Sequence, residues 1–181
     1  MNDCYAKYIN QRIKNKEMSR DSIAEKYRDL FDYKNTSTYI DIHDIIQRSG
    51  IKYYLDDFTE EHLKGIRSIS YIHEQTPHIS CHSSLTKNEI RFELAHQLGH
   101  YLLHMPIETE NALYTKCSNI TNDPYEIEAN NFAINLLCHP VPLEYWAQEF
   151  LSDKNVIDIL SKYFGLTKSK IIKQLREYNM M

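Results

Sequence analysis

Two histidines four residues apart, His96 and His100, constrain this chain more than any other feature. They sit in His96-Gln97-Leu98-Gly99-His100, ten residues after Thr86-Lys87-Asn88-Glu89, which has the form of a capping box. In such a box the Thr oxygen accepts from the third helical amide and the Glu reaches back to the Thr amide. A helix from about Lys87 to His104 is therefore predicted. Residues i and i+4 of a helix share one face, so both imidazoles can bind a single Zn²⁺ at roughly 2.0–2.1 Å. Gly99 in mid-helix costs about 1 kcal/mol relative to Ala, which makes sense if another backbone approaches there. Two ordinary helix histidines are the competing reading, because the chain has nine histidines. Phe92, Ala95 and Gly99 beside the pair favour the metal.

A metal held by two histidines needs a third ligand. Asp123-Pro124 reads as an N-cap followed by proline at the first helical position, starting a helix that runs to about Leu137. On that helix Glu126, Ala129, Asn130 and Ala133 share one face. The two alanines permit tight packing on the histidine helix, and Glu126 then projects toward the metal. Asn130, one turn further on, is a candidate to support a metal-bound histidine by hydrogen bonding. The alternative role for Glu126 is closure of a capping box with Asp123. Glu128 is the competing ligand, although its face also carries Phe132 and Asn135. His104 lies four residues beyond His100 and lacks the spacing of a third histidine ligand, so it reads as a partner of the ligands or a packing residue. His43, His62, His73, His78, His82 and His139 read as surface or strand residues, with His78 or His82 the candidates to line a cleft.

Around these segments the pattern is α+β. A helix is expected up to about Tyr33, from Ile23, Tyr27, Leu30 and Phe31 at helical spacing. A second carries Ile42, Ile45 and Ile46 and ends at Ser49-Gly50. Three extended segments follow: 51–55, 66–72 and 78–82, the last two joined by the turn Glu74-Gln75-Thr76-Pro77. In 66–72, Ile66, Ser68, Ser70 and Ile72 share one face. Met105 to Asn122 reads as a loop. The tail reads as three helices, 142–151, 155–164 and 168–178. The expected organisation is an N-terminal helical region, 1–36, a core, 37–142, and a C-terminal helical region, 143–181, packed on it.

The formal net charge of −4 announces neither nucleic acid nor membrane. Cys4, Cys81, Cys117 and Cys138 form no CxxC pair, and Met1 to Arg20 is polar throughout, unlike a signal peptide. Reduced cysteines and a cytoplasmic protein are expected, with Cys138 in the core. The tail from Ile157 to Tyr178 has the cadence of a helix-turn-helix and is locally basic at Lys162, Lys168, Lys170, Lys173 and Arg176. A solvated amphipathic pair is preferred over direct DNA binding.

The segment from Phe92 to His104 resembles the active-site helix of ImmA/IrrE-family metallopeptidases, and Glu126 to Ala133 followed by Leu136-Leu137 resembles that family's third-ligand helix. The resemblance implies a compact gluzincin-like core with a small, about three-stranded sheet, two metal-bearing helices and flanking helices. It implies a zinc-dependent cytoplasmic endopeptidase, encoded by mobile elements or stress regulons, that cleaves a helix-turn-helix repressor of the Xre type. The chain departs from the family at Gln97, where the HExxH pattern places the glutamate that acts as general base. Glutamine keeps the shape but has no useful basicity, and loss of acid–base catalysis costs on the order of 10²–10⁴ in rate. Two explanations compete. One is a deliberate Glu→Gln change that traps an inactive, metal-loaded enzyme, which the otherwise intact motif favours. The other is a natural pseudo-peptidase, or antirepressor, that binds its partner without cutting it.

Overall fold

Several helices begin where a side chain satisfies free backbone amides. The computed structural model describes residues 23–34, 36–104, 115–117 and 123–181, without the side chains of His62 and of 115–117. The expectations for residues 1–22, including Cys4, and for most of the 105–122 loop lie outside the described residues. Helix α1, Ile23–Leu30, ends earlier than expected. Asp32 takes a left-handed φ of 62°, and the Tyr33 amide closes back on the Arg28 carbonyl at 2.9 Å. This is the six-residue closure that ends helices, with Asp in the usual place of Gly. Helix α2, Ile42–Arg48, starts at Asp41, whose carboxylate accepts from the His43 and Asp44 amides. It ends at Ser49-Gly50, as the sequence suggests, with Gly50 at φ 73°.

The chain then lays down β1, Lys52–Asp56, a 3₁₀ turn, Glu61–Leu63, and the hairpin β2, Ser68–His73, with β3, Thr76–His82. The hairpin turn is tighter than expected. Glu74 and Gln75 alone form it, both at positive φ (47° and 61°), as a two-residue turn matched to strand twist demands. Strand β3 therefore starts at Thr76 and includes Pro77, which the sequence reading left in the turn. The proline is tolerated because β1 pairs with β3 only from His78 onward, so no neighbour on that side needs its missing N–H. A further short strand, β4, Thr115–Cys117, pairs antiparallel with Ser68–Ser70 of β2. Among the described residues the sheet thus has four strands in the order β1-β3-β2-β4, with β1 parallel to β3. Strand β4 falls in a segment read as loop, since three residues are too few for period-2 alternation to register.

Helix α3, Lys87–Leu103, crosses the inner face of the sheet, and residues 91–102 are buried throughout. Helix α4, Pro124–Leu137, packs beside it. Helices α5, Pro140–Glu149, α6, Val156–Phe164, and α7, Lys168–Glu177, complete the chain. One apolar cluster joins Ile23 and Tyr27 of α1 to Leu94 and Leu98 of α3, Leu136 of α4, Phe164 of α6 and Ile171 of α7. Two buried arginines tie its periphery by capping carbonyls at helix ends. Arg28 donates to Leu136 O at 2.7 Å. Arg91 donates to Gly165 O at 3.0 Å and Ile40 O at 2.6 Å. Gly165 is left-handed, and a Cβ there would meet Arg91 Nε at 2.6 Å, so the α6–α7 turn sits hard against α3. Among the described residues no helix is long and apolar enough to cross a membrane.

Candidate metal centre

The phase of α3 is fixed at its start. The Glu89 amide donates to Thr86 Oγ1 and the Thr86 amide donates to Glu89 Oε2, so the predicted capping box is present. Three turns on, His96 and His100 face α4 from a fully buried surface. The approach of the two helices is set by Gly99. A Cβ on it would lie 3.0 Å from Phe132 Cδ1 and 3.2 Å from both Cα and O of Ala129. The backbone contact that a mid-helix glycine suggested is therefore with the small residue Ala129 of α4.

Helix α4 starts at Asp123, which accepts from the Tyr125 amide at 2.9 Å, with Pro124 next. This brings Glu126 onto the histidines. Its carboxylate oxygens lie 3.1 Å from His100 Nε2 and 3.3 Å from His96 Nε2. The two Nε2 atoms are 2.9 Å apart. Burial alone would raise the Glu126 carboxyl, but in the metal-free protein hydrogen bonds from His100 and His96 outweigh it and hold the group at about 2.

Among the described residues, these three make the one set of side chains whose ligand atoms converge as a metal requires. A tetrahedral zinc with bonds of about 2.0–2.1 Å has ligand atoms about 3.4 Å apart. The observed triangle is close to that, slightly contracted. Two imidazole nitrogens and one carboxylate are a three-ligand set of the kind that catalytic zinc sites use, whereas structural zinc sites use four protein ligands.

The two candidate glutamates are separated cleanly. Glu128 lies on His104, with Oε2 at 3.0 Å from His104 Nε2. His104 in turn approaches His100, Nδ1 to Nδ1, at 3.0 Å. Tyr125, largely exposed, sets its ring edge against His104, with centroids 4.8 Å apart. Asn130 borders a small cleft with Phe92, Lys170 and Gln174. Among the described residues His96 Nδ1 is buried without a hydrogen-bond partner. The His96 ring instead stacks on Phe92, centroids 6.2 Å apart, and Lys170 Nζ lies 3.5 Å from the other ring's centroid. His78 is packed between Tyr54 and Tyr71 on the sheet, where burial lowers its basicity.

Gln97 belongs to a second buried polar group, on the face of α3 that meets β2. Its amide oxygen accepts from Ser70 Oγ at 2.6 Å and its amide nitrogen donates to Ser68 Oγ at 2.9 Å. Ser68 Oγ passes its own hydrogen to Glu93 Oε2 at 2.6 Å. Arg67 Nε donates to Glu93 Oε1 at 2.8 Å and its Nη2 to Glu89 at 3.2 Å. Sequence reasoning passed over Ser68, Ser70, Glu93 and Arg67. The signal was there in part: two serines alternate on a strand face that also carries Ile72, and buried hydroxyls demand partners.

No curated protein sequence gives a significant match to this chain. The family model for the IrrE N-terminal-like domain, peptidase family M78, matches residues 46–176. That span holds well over half of the chain and both helices of the metal centre, so the protein belongs to the IrrE N-terminal-like family of metallopeptidases.

Proposed function

We propose that this protein is a zinc-binding member of its family that engages a helix-turn-helix repressor of the Xre type in the cytoplasm, with peptide cleavage impaired at position 97. The observation that supports it most is the convergence of His96, His100 and Glu126 on one point. A zinc ion held there would lower the pKa of a bound water to about 7 and polarise a peptide carbonyl. The protein's own contribution is to hold three ligand side chains by the close crossing of α3 and α4 and to keep the histidines out of bulk water. Gln97 has an oxygen that can accept a hydrogen bond but no basicity to take a proton from water. The encoding on a mobile element or stress regulon remains part of the proposal, by family resemblance.

The test of the metal site is elemental analysis of the purified protein. His96→Ala should lose the ion, and unchanged zinc content would sink the proposal. Cleavage is tested by Gln97→Glu with a co-expressed repressor.

A second reading, in which the chain binds its partner and never cuts it, is favoured by one observation. The amide of Gln97 uses both its donor and its acceptor, on Ser68 and Ser70 respectively. Because Ser68 gives its hydrogen to Glu93, a carboxylate at 97 would leave two acceptors facing each other. No gain of cleavage in Gln97→Glu, with zinc retained, supports this reading over the first.

A further inference from the structure

The side chains behind the metal centre form an ordered chain that ends on a carboxylate. Four atoms define its links: Glu128 Oε2, His104 Nε2 at 3.0 Å, and then His104 Nδ1 facing His100 Nδ1 at 3.0 Å. The protons in this chain follow from its two ends. A ligand nitrogen must present a lone pair, so His100, with Nε2 directed at Glu126 and His96, carries its hydrogen on Nδ1. That hydrogen can only be donated, so His104 Nδ1 is the acceptor. His104 then holds its hydrogen on Nε2 and gives it to Glu128, which as a carboxylate can only accept. Each nitrogen in the row has one role, and no proton is contested. The chain also spans both helices: His100 and His104 lie one turn apart on α3, and Glu128 comes from α4.

We propose that Glu128, acting through His104, is a positioning residue for the metal ligand His100, and that this relay sets how tightly the ion is held. The inference rests on the metal-binding reading above and deepens it. A carboxylate that pulls on the far hydrogen of a ligating imidazole fixes its ring and raises its basicity toward the metal. Here the pull is carried across an intervening histidine. His96 has no such support, since its Nδ1 is buried without a partner among the described residues. The relay therefore makes His100 the better oriented of the two histidine ligands. It also gives Glu128 a role other than that of the rival ligand.

The experiment is competition for zinc between the full chain and a chromogenic chelator, with thermal melts of the metal-free proteins as a check on folding. Glu128→Ala should weaken zinc binding about 10–100-fold, the range for loss of a partner of this kind. Glu128→Gln, whose amide oxygen still accepts from His104, should recover part of that loss. His104→Ala should weaken binding by a similar factor, and adding Glu128→Ala to it should change nothing more. Zinc binding in Glu128→Ala equal to that of the unaltered protein would overturn the relay. So would a loss that persists in full on top of His104→Ala. Complete loss of zinc in Glu128→Ala, as in His96→Ala, would make Glu128 a ligand and overturn it too. Failure of the metal site itself would instead appear as zinc content unaffected by His96→Ala.

Discussion

Helix α3 carries two buried polar groups on neighbouring faces, and they are built on opposite rules. Toward α4, His96, His100 and Glu126 bring two imidazole nitrogens and a carboxylate, all able to ligate a metal, within 2.9–3.3 Å of one another. Toward β2, Arg67, Glu93, Ser68, Gln97 and Ser70 pass hydrogens from donor to acceptor along a row. The first arrangement calls for a cation from outside the chain. The second is closed by the protein's own hydrogens. Buried polar groups that are fully satisfied serve the structure, whereas converging lone pairs mark a place for a ligand. Gln97 stands one residue from His96 and belongs to the closed group.

The sharpest test of this contrast removes a converging ligand. Glu126→Ala should reduce zinc from one equivalent to a trace by elemental analysis, while the melting temperature of the metal-free protein changes little. A metal-free protein that unfolds on this change would mean that the triad is structural in its own right.

On the other face the expectation is reversed. Glu93 is buried and is held by both Arg67 and Ser68. Loss of one partner of a buried ion pair costs about 3–5 kcal/mol, tempered here because Arg67 is about one-third exposed. Glu93→Ala should therefore lower the free energy of unfolding in urea by about 2–3 kcal/mol. Ser68→Ala removes the hydroxyl that accepts from the Gln97 amide nitrogen and donates to Glu93, and should cost about 1–3 kcal/mol. Neither should change the zinc stoichiometry, and loss of zinc in either would join the two groups into one.

The helix crossing beneath both groups gives a smaller effect. Gly99→Ala regains about 1 kcal/mol of helix propensity but pushes a methyl group against the Ala129 backbone, where overpacking costs about 1–3 kcal/mol. The net change in stability is expected to be about 0–2 kcal/mol. The clearer readout is weaker zinc binding, because α4 carries Glu126 away with it.

The smallest expected effect is chemical. Burial pushes the thiols of Cys81 and Cys138 up to about 12. Native protein at pH 8 should not be alkylated at either position, as read by mass spectrometry. The folded pKa values lie above those of the unfolded thiols. The sign is therefore that their contribution to stability is present below about pH 8.5 and is lost as the pH rises beyond it.

Much of this was legible in the chain itself. The capping box at Thr86, the Asp123-Pro124 start and the Ser49-Gly50 stop are local signals, because each depends on hydrogen bonds within a few residues. Gly99 forecast a close backbone approach correctly, because a costly residue in a helix needs a reason. The misses have equally local causes. The turn at Glu74-Gln75 lacks the Gly or Asn that usually marks positive φ, so β3 was read as starting too late. Asp32 ended α1 early for the same reason.

The sequence by itself determined the α+β class, the two helices that face each other at the candidate metal centre and the pairing of His96 with His100 on one helix face, because helical periodicity places residues three and four apart on one face without reference to anything else. The tertiary structure alone decided which glutamate meets the histidines, which one stands behind His104, and that Gln97 is tied to two serines of β2. Those are contacts between residues 24–30 positions apart, and they depend on how closely α3 is allowed to approach α4 and the sheet.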